Sequence, residues 1–357
     1  MANSQHALRV IATAIAIAVS CAAAEASVSS GLLLIFADIF NPDFAAGSIR
    51  RVEPSGAGLI DLVPTGGGLR GLDADPVGGK VYWTDVDNFV IRRANLDGSG
   101  VEDLVTRGLA FPSAIALDLA AGKMYWGDQT NEEIRRANFD GSENEFVLAT
   151  PFHRGIDVDW VNGKVYWSTS QTQFKGEIRR ANLDGTNVET VVTSLDAQFK
   201  PADIALDIAG GRVYWTDFVV DVVRRANLNG TGIQNLFLVG ANINPRGIAL
   251  DLDAGHVYWG QDIDFIGTTG KIMRMNLDGT NQQNAVVGLG LVNSIALRPA
   301  DPCPADLTDD RVVDGADLGL LLLDWNVADS PADLNGDGVV NGEDLGNLLL
   351  AWGRCGS

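Results

Sequence analysis

Apolar and polar positions alternate along most of the chain in short runs, the period of a strand with one buried face, and Asp, Asn and Gly separate the runs. Residues 81–98 (VYWTDVDNFVIRRANLDG) show the unit most clearly. An apolar segment with a Tyr-Trp pair ends in Asp, a short polar turn follows, and a second segment reads Ile-Arg-Arg-Ala-Asn before a Leu-Asp-Gly turn. The Tyr-Trp pair returns at Tyr125/Trp126, Tyr166/Trp167, Tyr214/Trp215 and Tyr258/Trp259, with Trp spacings of 43, 41, 48 and 44 residues. A worn copy, Leu34-Ile35-Phe36-Ala37-Asp38, precedes them. A period in the forties carried by strand-like segments points to a propeller or a solenoid.

Each copy predicts four strands. An inner strand comes first, at 71–75, 114–119, 155–160, 203–208 and 247–252, and these read apolar on both faces, as a sheet covered on both sides requires. The aromatic strand follows. The third strand begins at Ile49, Ile91, Ile134, Ile178, Val223 and Ile272, and a short outer strand closes the unit, as at 59–63 and 190–192. Asp-Gly and Asn-Gly pairs such as Asp97-Gly98 and Asn229-Gly230 supply the positive φ of a tight turn. The first copy lacks an inner strand and the last is followed by a spare one, residues 294–297 (SIAL). Aromatic and inner strands balance only if that spare strand completes the first blade. The expected fold is therefore all-β, a six-bladed β-propeller closed by a C-terminal strand, with a small α-helical domain after it. Closure leaves no sheet edge exposed, which an open solenoid would not achieve.

Composition sharpens this picture. The 357 residues are 46% hydrophobic, enough for a packed core. A formal charge of −20 excludes nucleic acid as a partner, because phosphate binding needs a basic face. Residues 301–357 hold 12 acidic and 2 basic residues, so half of that charge lies in the last stretch. Residues 1–26 read as a secretory signal, with Arg9 before an apolar run and a small-x-small site at Ala24-Glu25-Ala26. The alternative is a lipobox at Ala18-Val19-Ser20-Cys21 that lacks the usual Leu. No later stretch reads as a transmembrane helix. The domain plan is a signal peptide at 1–26, a propeller at 27–300 and a calcium-binding domain at 301–357, in a secreted or cell-surface protein.

The five good copies and their Arg-Ala-Asn-Leu-Asp-Gly segments resemble the YWTD repeat, the low-density-lipoprotein-receptor class B family, over residues 30–300. The resemblance implies a six-bladed propeller, in agreement with the strand count, and an extracellular binding platform. The motif Asp stands at Asp38, Asp85, Asp128 and Asp217. Thr169 replaces it in the fourth blade and Gln261 in the sixth, where Asp262 comes one residue late. EGF-like modules found beside many family members are absent, so receptor-type partners are not implied.

Residues repeated in every blade read as structure: aromatic pairs fill the gap between sheets, whereas a catalytic group occurs once. Of each Arg pair, one is expected to reach a carboxylate between blades and the other to be solvated. Ligand-binding residues are expected on the rim formed by the loops leading into the inner strands, at Phe111, Phe152, His153, Arg154, Phe199, Lys200 and Arg246, together with three long turns after aromatic strands. Aromatic groups beside cations suit an extracellular protein or glycan; the competing reading is that these residues only cap the channel. No catalytic residue is assigned. His153 and His256 lack metal spacing, and there is no nucleophile elbow. The alternative function is a carbohydrate-active, lyase- or hydrolase-type propeller enzyme displayed by the C-terminal module.

That module holds two similar segments after a Pro-rich linker. In the second, Asp333, Asn335, Asp337, Asn341 and Asp344 occupy positions 1, 3, 5, 9 and 12 of a loop with Gly338 at 6 and the Val339 carbonyl at 7, the oxygen set that wraps a Ca²⁺ ion. The first has Asp306, Thr308, Asp310, Val312, Asp314 and Asp317 in the same places, but Arg311 replaces the Gly, so this site should be weaker. Each loop runs into an apolar helix. The pair resembles a type I dockerin over residues 306–353, which implies Ca²⁺-dependent folding and docking through the helices to a cohesin-like receptor or another cell-surface component. The competing reading is a Ca²⁺-stabilised cap with no partner. Cys303 and Cys355 flank the module and, in an exported chain, are expected to form a disulfide.

Overall fold

Each Tyr-Trp segment is the second strand of a four-stranded antiparallel sheet, and six such sheets make the propeller. The computed structural model describes the chain apart from residues 1–31, 41–45, 66–67, 77, 152, 171–175, 194–197, 239–243, 263–269, 300–304, 306, 308–311, 328–329, 331, 335–337 and 355–357. The signal and lipobox assignments, most of the three long turns, Phe152, Cys303 and Cys355 lie outside the described residues. In blade 2 the strands are Leu69–Asp75, Lys80–Asp85, Val90–Asn95 and Glu102–Val105. Tyr82 pairs with Arg93 and Trp83 with Arg92, and the same register recurs in blades 3, 4 and 5.

Strand alternation sends Tyr and Trp of one pair to opposite faces, and this builds the core. Trp126 of blade 3 packs with Tyr82 of blade 2, Trp167 with Tyr125, Trp215 with Tyr166, and Trp259 with Tyr214. All ten rings are at most 1% exposed. Blade 1 keeps the scheme with aliphatic and Phe side chains: Phe36 packs with Tyr258 of blade 6, and Ile35 with Trp83 of blade 2. Six apolar layers thus lie between consecutive sheets. The ring closes as expected. Leu291–Pro299 pairs antiparallel with Leu32–Phe40, Phe36 opposite Ile295 and Leu34 opposite Leu297.

Two expectations are corrected. The inner strands of blades 3 to 6 begin before the expected residues, at Pro112, His153, Pro201 and Pro245, and that of blade 2 begins at Leu69. Each carries an extra residue near its start: in blade 2 Leu69 pairs with Asp85 but Leu72 with Trp83. Such a bulge turns side chains out of the regular alternation. The Arg pairs also behave differently. The first Arg meets the motif Asp of its own blade, in Arg50–Asp38 (2.7 Å), Arg92–Asp85 (2.9 Å) and Arg224–Asp217 (3.2 Å). The second is not merely solvated. It donates to a carbonyl of the next blade, Arg93 to Phe139, Arg136 to Leu183, Arg180 to Leu228 and Arg225 to Leu277. Arg93, Arg136 and Arg180 also pair with an outer-strand Glu.

The C-terminal region has two short helices, α1 (Gly315–Leu323) and α2 (Gly342–Leu350). Asp314 and Asn341 cap them, each with a capping box closed by Asp317 or Asp344. Equivalent residues lie 27 apart and share one small core: Ala305 with Ala332, Val313 with Val340, Leu321 with Leu348. Among the described residues no helix is long and apolar enough to cross a membrane.

Candidate functional site at the channel mouth

The inner strands line a central channel with a cavity of about 520 Å³. Their starts lie beside the ends of the aromatic strands, since Pro112 pairs with Asp128 and Pro201 with Asp217. The short Asp-Gly turns occupy the other rim, where Lys80 pairs with Asn95. The bulges stand at the first rim. In blades 2, 4 and 6 the bulged dipeptide is Arg-Gly: Arg70-Gly71, Arg154-Gly155 and Arg246-Gly247. In blades 3 and 5 it is Ser113-Ala114 and Ala202-Asp203, and in blade 1 Asn293 is the extra residue. Arg therefore alternates with small or amide side chains around the ring. The Gly is needed for close packing: a Cβ on Gly71 would lie 2.6 Å from the Ile115 amide nitrogen, and one on Gly247 2.6 Å from the Ser294 Cα.

All three arginines line the channel and lean toward the next blade. Arg70 lies over the Phe111 ring (5.5 Å), Arg154 over the Phe218 ring (4.6 Å), and Arg246 Nη1 donates to Asn293 Oδ1 (3.5 Å). Arg70 and Arg154 are exposed and Arg246 is half-buried. Surrounding protein still removes enough water to lower all three pKa values; Arg154 is lowered further by Arg246 and then Arg70, whereas nearby carboxylates offset part of the shift at the other two, Asp87 at Arg70 and Asp262 at Arg246, where Arg70 acts more weakly in the lowering direction. The three are thus electrostatic neighbours, and they stay charged at neutral pH. Among the described residues none of them forms an ion pair, although every blade carries an Arg that its third strand places on a carboxylate, amide or carbonyl.

Three carboxyls also line the channel: Asp203, in the blade 5 bulge at the rim, and Asp73 and Asp157, three residues past Arg70 and Arg154 on their inner strands. Each ties its own inner strand to a neighbouring one. Asp73 accepts from the Leu117 amide (2.9 Å), Asp157 from Leu206 (2.8 Å) and Asp203 from Ile248 (3.1 Å). Loss of water in the channel raises Asp73 to about 6 and Asp203 to about 7. It raises Asp157 to about 8, with added repulsion from Asp73 and then Asp203. The mouth therefore carries three guanidinium groups, and the carboxyls of the channel lining are only partly ionised at neutral pH.

The expected ligand residues separate into two groups. Phe111, Arg154 and Arg246 meet at the mouth. Phe199 does not: it is fully buried, edge-on to Trp215 at 6.2 Å. Its carbonyl accepts from the Gly176 amide (3.0 Å), which ties the loop against blade 4. Lys200 is buried too, and its amide donates to Asp217 (3.2 Å). His153 is buried with Nδ1 near the Thr150 carbonyl (3.2 Å), and burial lowers its pKa. These three are packing residues, not an exposed binding rim. Arg70, Asn293 and the three carboxyls escaped the sequence reading; the signal for Arg70 was the Arg-Gly pair it shares with Arg154 and Arg246.

In the C-terminal module Asp306, Thr308, Asp310, Asn335 and Asp337 lie outside the described residues. Among the others, Asp344 is buried and its two oxygens accept from the Leu334 and Asn341 amides (2.8 Å each). Asp333 accepts from Gly338 (2.7 Å), and Asp317 from Asp314 (2.8 Å). No cluster of three metal-ligating side chains forms among the described residues. The carboxylate at loop position 12 nevertheless sits where the second loop closes on itself, and the oxygen-only donor set suits a hard cation.

Comparison with known proteins agrees with this architecture. Residues 79–119 match the family model described as low-density lipoprotein receptor repeat class B. A low-density lipoprotein receptor-related protein 5-like protein of Homo sapiens is 31% identical over 161 residues, 44% of this chain and 62% of the relative. Low-density lipoprotein receptor-related protein 4 of Homo sapiens is 44% identical over 78 residues, 21% of this chain. The match spans only 4% of that relative's length. A chain of the nidogen/laminin complex superposes with a TM-score of 0.65 at 21% identity, covering 76% of this chain and 99% of its own. TolB from Acinetobacter baumannii gives 0.62 at 13%, covering 76% of this chain and 67% of its own. At these identities the two structures speak for the fold alone. The strand order and the inter-blade Tyr-Trp layers make this array a six-bladed propeller, and its repeat at residues 79–119 is similar to the low-density lipoprotein receptor class B repeat.

Proposed function

We propose that the chain is a secreted or surface-attached, non-enzymatic binding protein whose propeller takes an extracellular protein or glycan at the arginine-bearing mouth. The carrying observation is the mouth itself: three arginines on alternate blades with no ion-pair partner among the described residues, in one channel lining with solvent-poor carboxyls. Guanidinium groups outside ion pairs, two of them on aromatic rings and one on an amide, favour recognition. The matched relatives are receptor-related proteins, which is in keeping with a binding role.

The C-terminal segment acts as a dockerin-like anchor. Ca²⁺ would be held by Asp333, Asn335, Asp337, the Val339 carbonyl, Asn341 and Asp344, and more weakly by the first loop. Its ordering of the loops would set α1 and α2 for a cohesin-like receptor or another cell-surface component. The helices offer a duplicated apolar face for this: Leu323 and Leu350 are 78% and 88% exposed, and Trp325 and Trp352 lie outward at the same 27-residue spacing.

The test is a screen of the full chain on protein and extracellular-glycan arrays, repeated with Arg154→Gln/Arg246→Gln. A ligand that binds the wild type and is lost by the double variant, with unchanged melting, supports the reading. Equal binding by the double variant moves the site away from the mouth. For the anchor, capture by cohesin-bearing surfaces should vanish with chelator; chelator-resistant capture refutes the Ca²⁺ part.

A further inference from the structure

We infer that the mouth is a receptor for a compact oxyanionic ligand, one that brings two or more carboxylate, sulfate or phosphate groups together, either as a free small molecule or as an acidic sugar at the end of a glycan. This rests on the proposed binding role and specifies its ligand chemistry. The argument starts from how the arginines are held. Each stands in a bulge at the start of an inner strand, which re-aims its side chain. Each is followed by a Gly that allows the neighbouring blade to approach. Phe111, Phe218 and Asn293 each hold one guanidinium from the next blade. Three guanidinium groups thus line one cavity where water is depleted; among the described residues only Asp87 near Arg70 and Asp262 near Arg246 offset their charge, and neither forms an ion pair with them. A ligand with two or more anionic groups, seated among these forks, would replace their lost hydration and relieve the repulsion that Arg154 feels from Arg246 and Arg70.

The channel sets the size of the ligand. A cavity of about 520 Å³ is the volume of a small-molecule site. Each oxygen of Asp73, Asp157 and Asp203 already holds one strand amide, and its remaining lone pair is free to accept a ligand hydroxyl. Sugar acids and polyhydroxy-polycarboxylates carry both features. The chain as a whole is at −20, so long-range fields repel anions and only a short-range, multidentate contact can hold one.

The test is calorimetric titration of the full chain at pH 7 and about 0.1 M salt, where screening reduces the long-range repulsion. The probes are citrate, inorganic sulfate, a uronic-acid trisaccharide and an acidic peptide. Citrate or sulfate binding indicates a free anion; binding of the trisaccharide alone indicates a glycan end. Arg70→Gln, Arg154→Gln and Arg246→Gln should each weaken binding about tenfold, the value of one charge-assisted hydrogen-bonding partner, and the triple variant should abolish it. Arg212→Gln, on the opposite rim, should change nothing. Removing mutual repulsion should leave the triple variant melting no lower than wild type; if it does not fold, the single variants decide. The inference is overturned if no anion binds at millimolar concentration, if only the peptide binds, or if the arginine variants bind equally well. An array ligand that the triple variant retains overturns this chemistry and leaves the general binding role standing. Absence of both array and anion binding removes both.

Discussion

Cutting the chain after Asn293 instead of after Pro299 removes the part of the last strand that closes the ring. Both truncations lack the C-terminal module, so its contribution cancels. The shorter chain loses Ile295 and Ala296, which lie opposite Phe36 and Ile35 and are each 5% exposed. Burial of Ile is worth about 1.5–3 kcal/mol and of one methyl about 0.8 kcal/mol. Ser294 Oγ also bridges blade 1 to blade 2, with the Leu72 amide at 3.1 Å and the Leu72 carbonyl at 3.2 Å. Two such bonds contribute about 0.5–1.5 kcal/mol each. The sum, about 3–7 kcal/mol, is a large part of the 5–15 kcal/mol that ordinary domains possess. At about 2 °C per kcal/mol for a domain of this size, calorimetry should show the shorter chain melting on the order of 10 °C lower. The unpaired edge of Leu32–Phe40 should also promote association. Melting of the two chains within about 2 °C of each other, with no association, would refute the closure argument.

Further outcomes follow from the same structure. Trp126→Ala and Phe199→Ala should each cost about 3–5 kcal/mol, since both rings are fully buried; an unchanged melting temperature for Phe199→Ala would return that residue to the surface. The full chain should bind Ca²⁺ in calorimetry, and Asp333→Ala or Asp344→Ala should weaken binding more than Thr308→Ala. No heat at millimolar Ca²⁺ would remove the dockerin-like assignment. Stability should rise on acidification from pH 8.5 to 5.5. Asp73, Asp203 and Asp157 titrate at about 6, 7 and 8 when folded, against about 3.9 when unfolded. The folded state therefore binds more protons in that window, and stability is lost as pH rises through the folded values. Asp157→Asn should flatten this slope in pH-dependent melting, and an equal slope in the variant would show that other groups set it.

The propeller was legible because its information is local and repeated. One Tyr-Trp pair on a strand must bury two faces, and five pairs at nearly equal spacing demand partners on both sides. The spare strand after residue 290 then had one place to go. Phe199 was misread because its loop position suggested exposure, whereas the Gly176 amide pulls that loop onto the sheet edge; a contact between blade 4 and the strand leading to blade 5 has no periodic trace. The mouth failed for a different reason. Arg70, Arg154 and Arg246 are 84 and 92 residues apart, two repeats each time, and a search at one repeat does not see them. Their shared position also depends on the bulges, which displace the inner strands from the simple two-residue alternation. Once the bulges are placed, the Arg-Gly pairs fall into one register and ring closure brings blades 2, 4 and 6 around one axis. A binding site of this kind belongs to the ring rather than to any blade, so it can vary without disturbing the Tyr-Trp layers that hold the blades together.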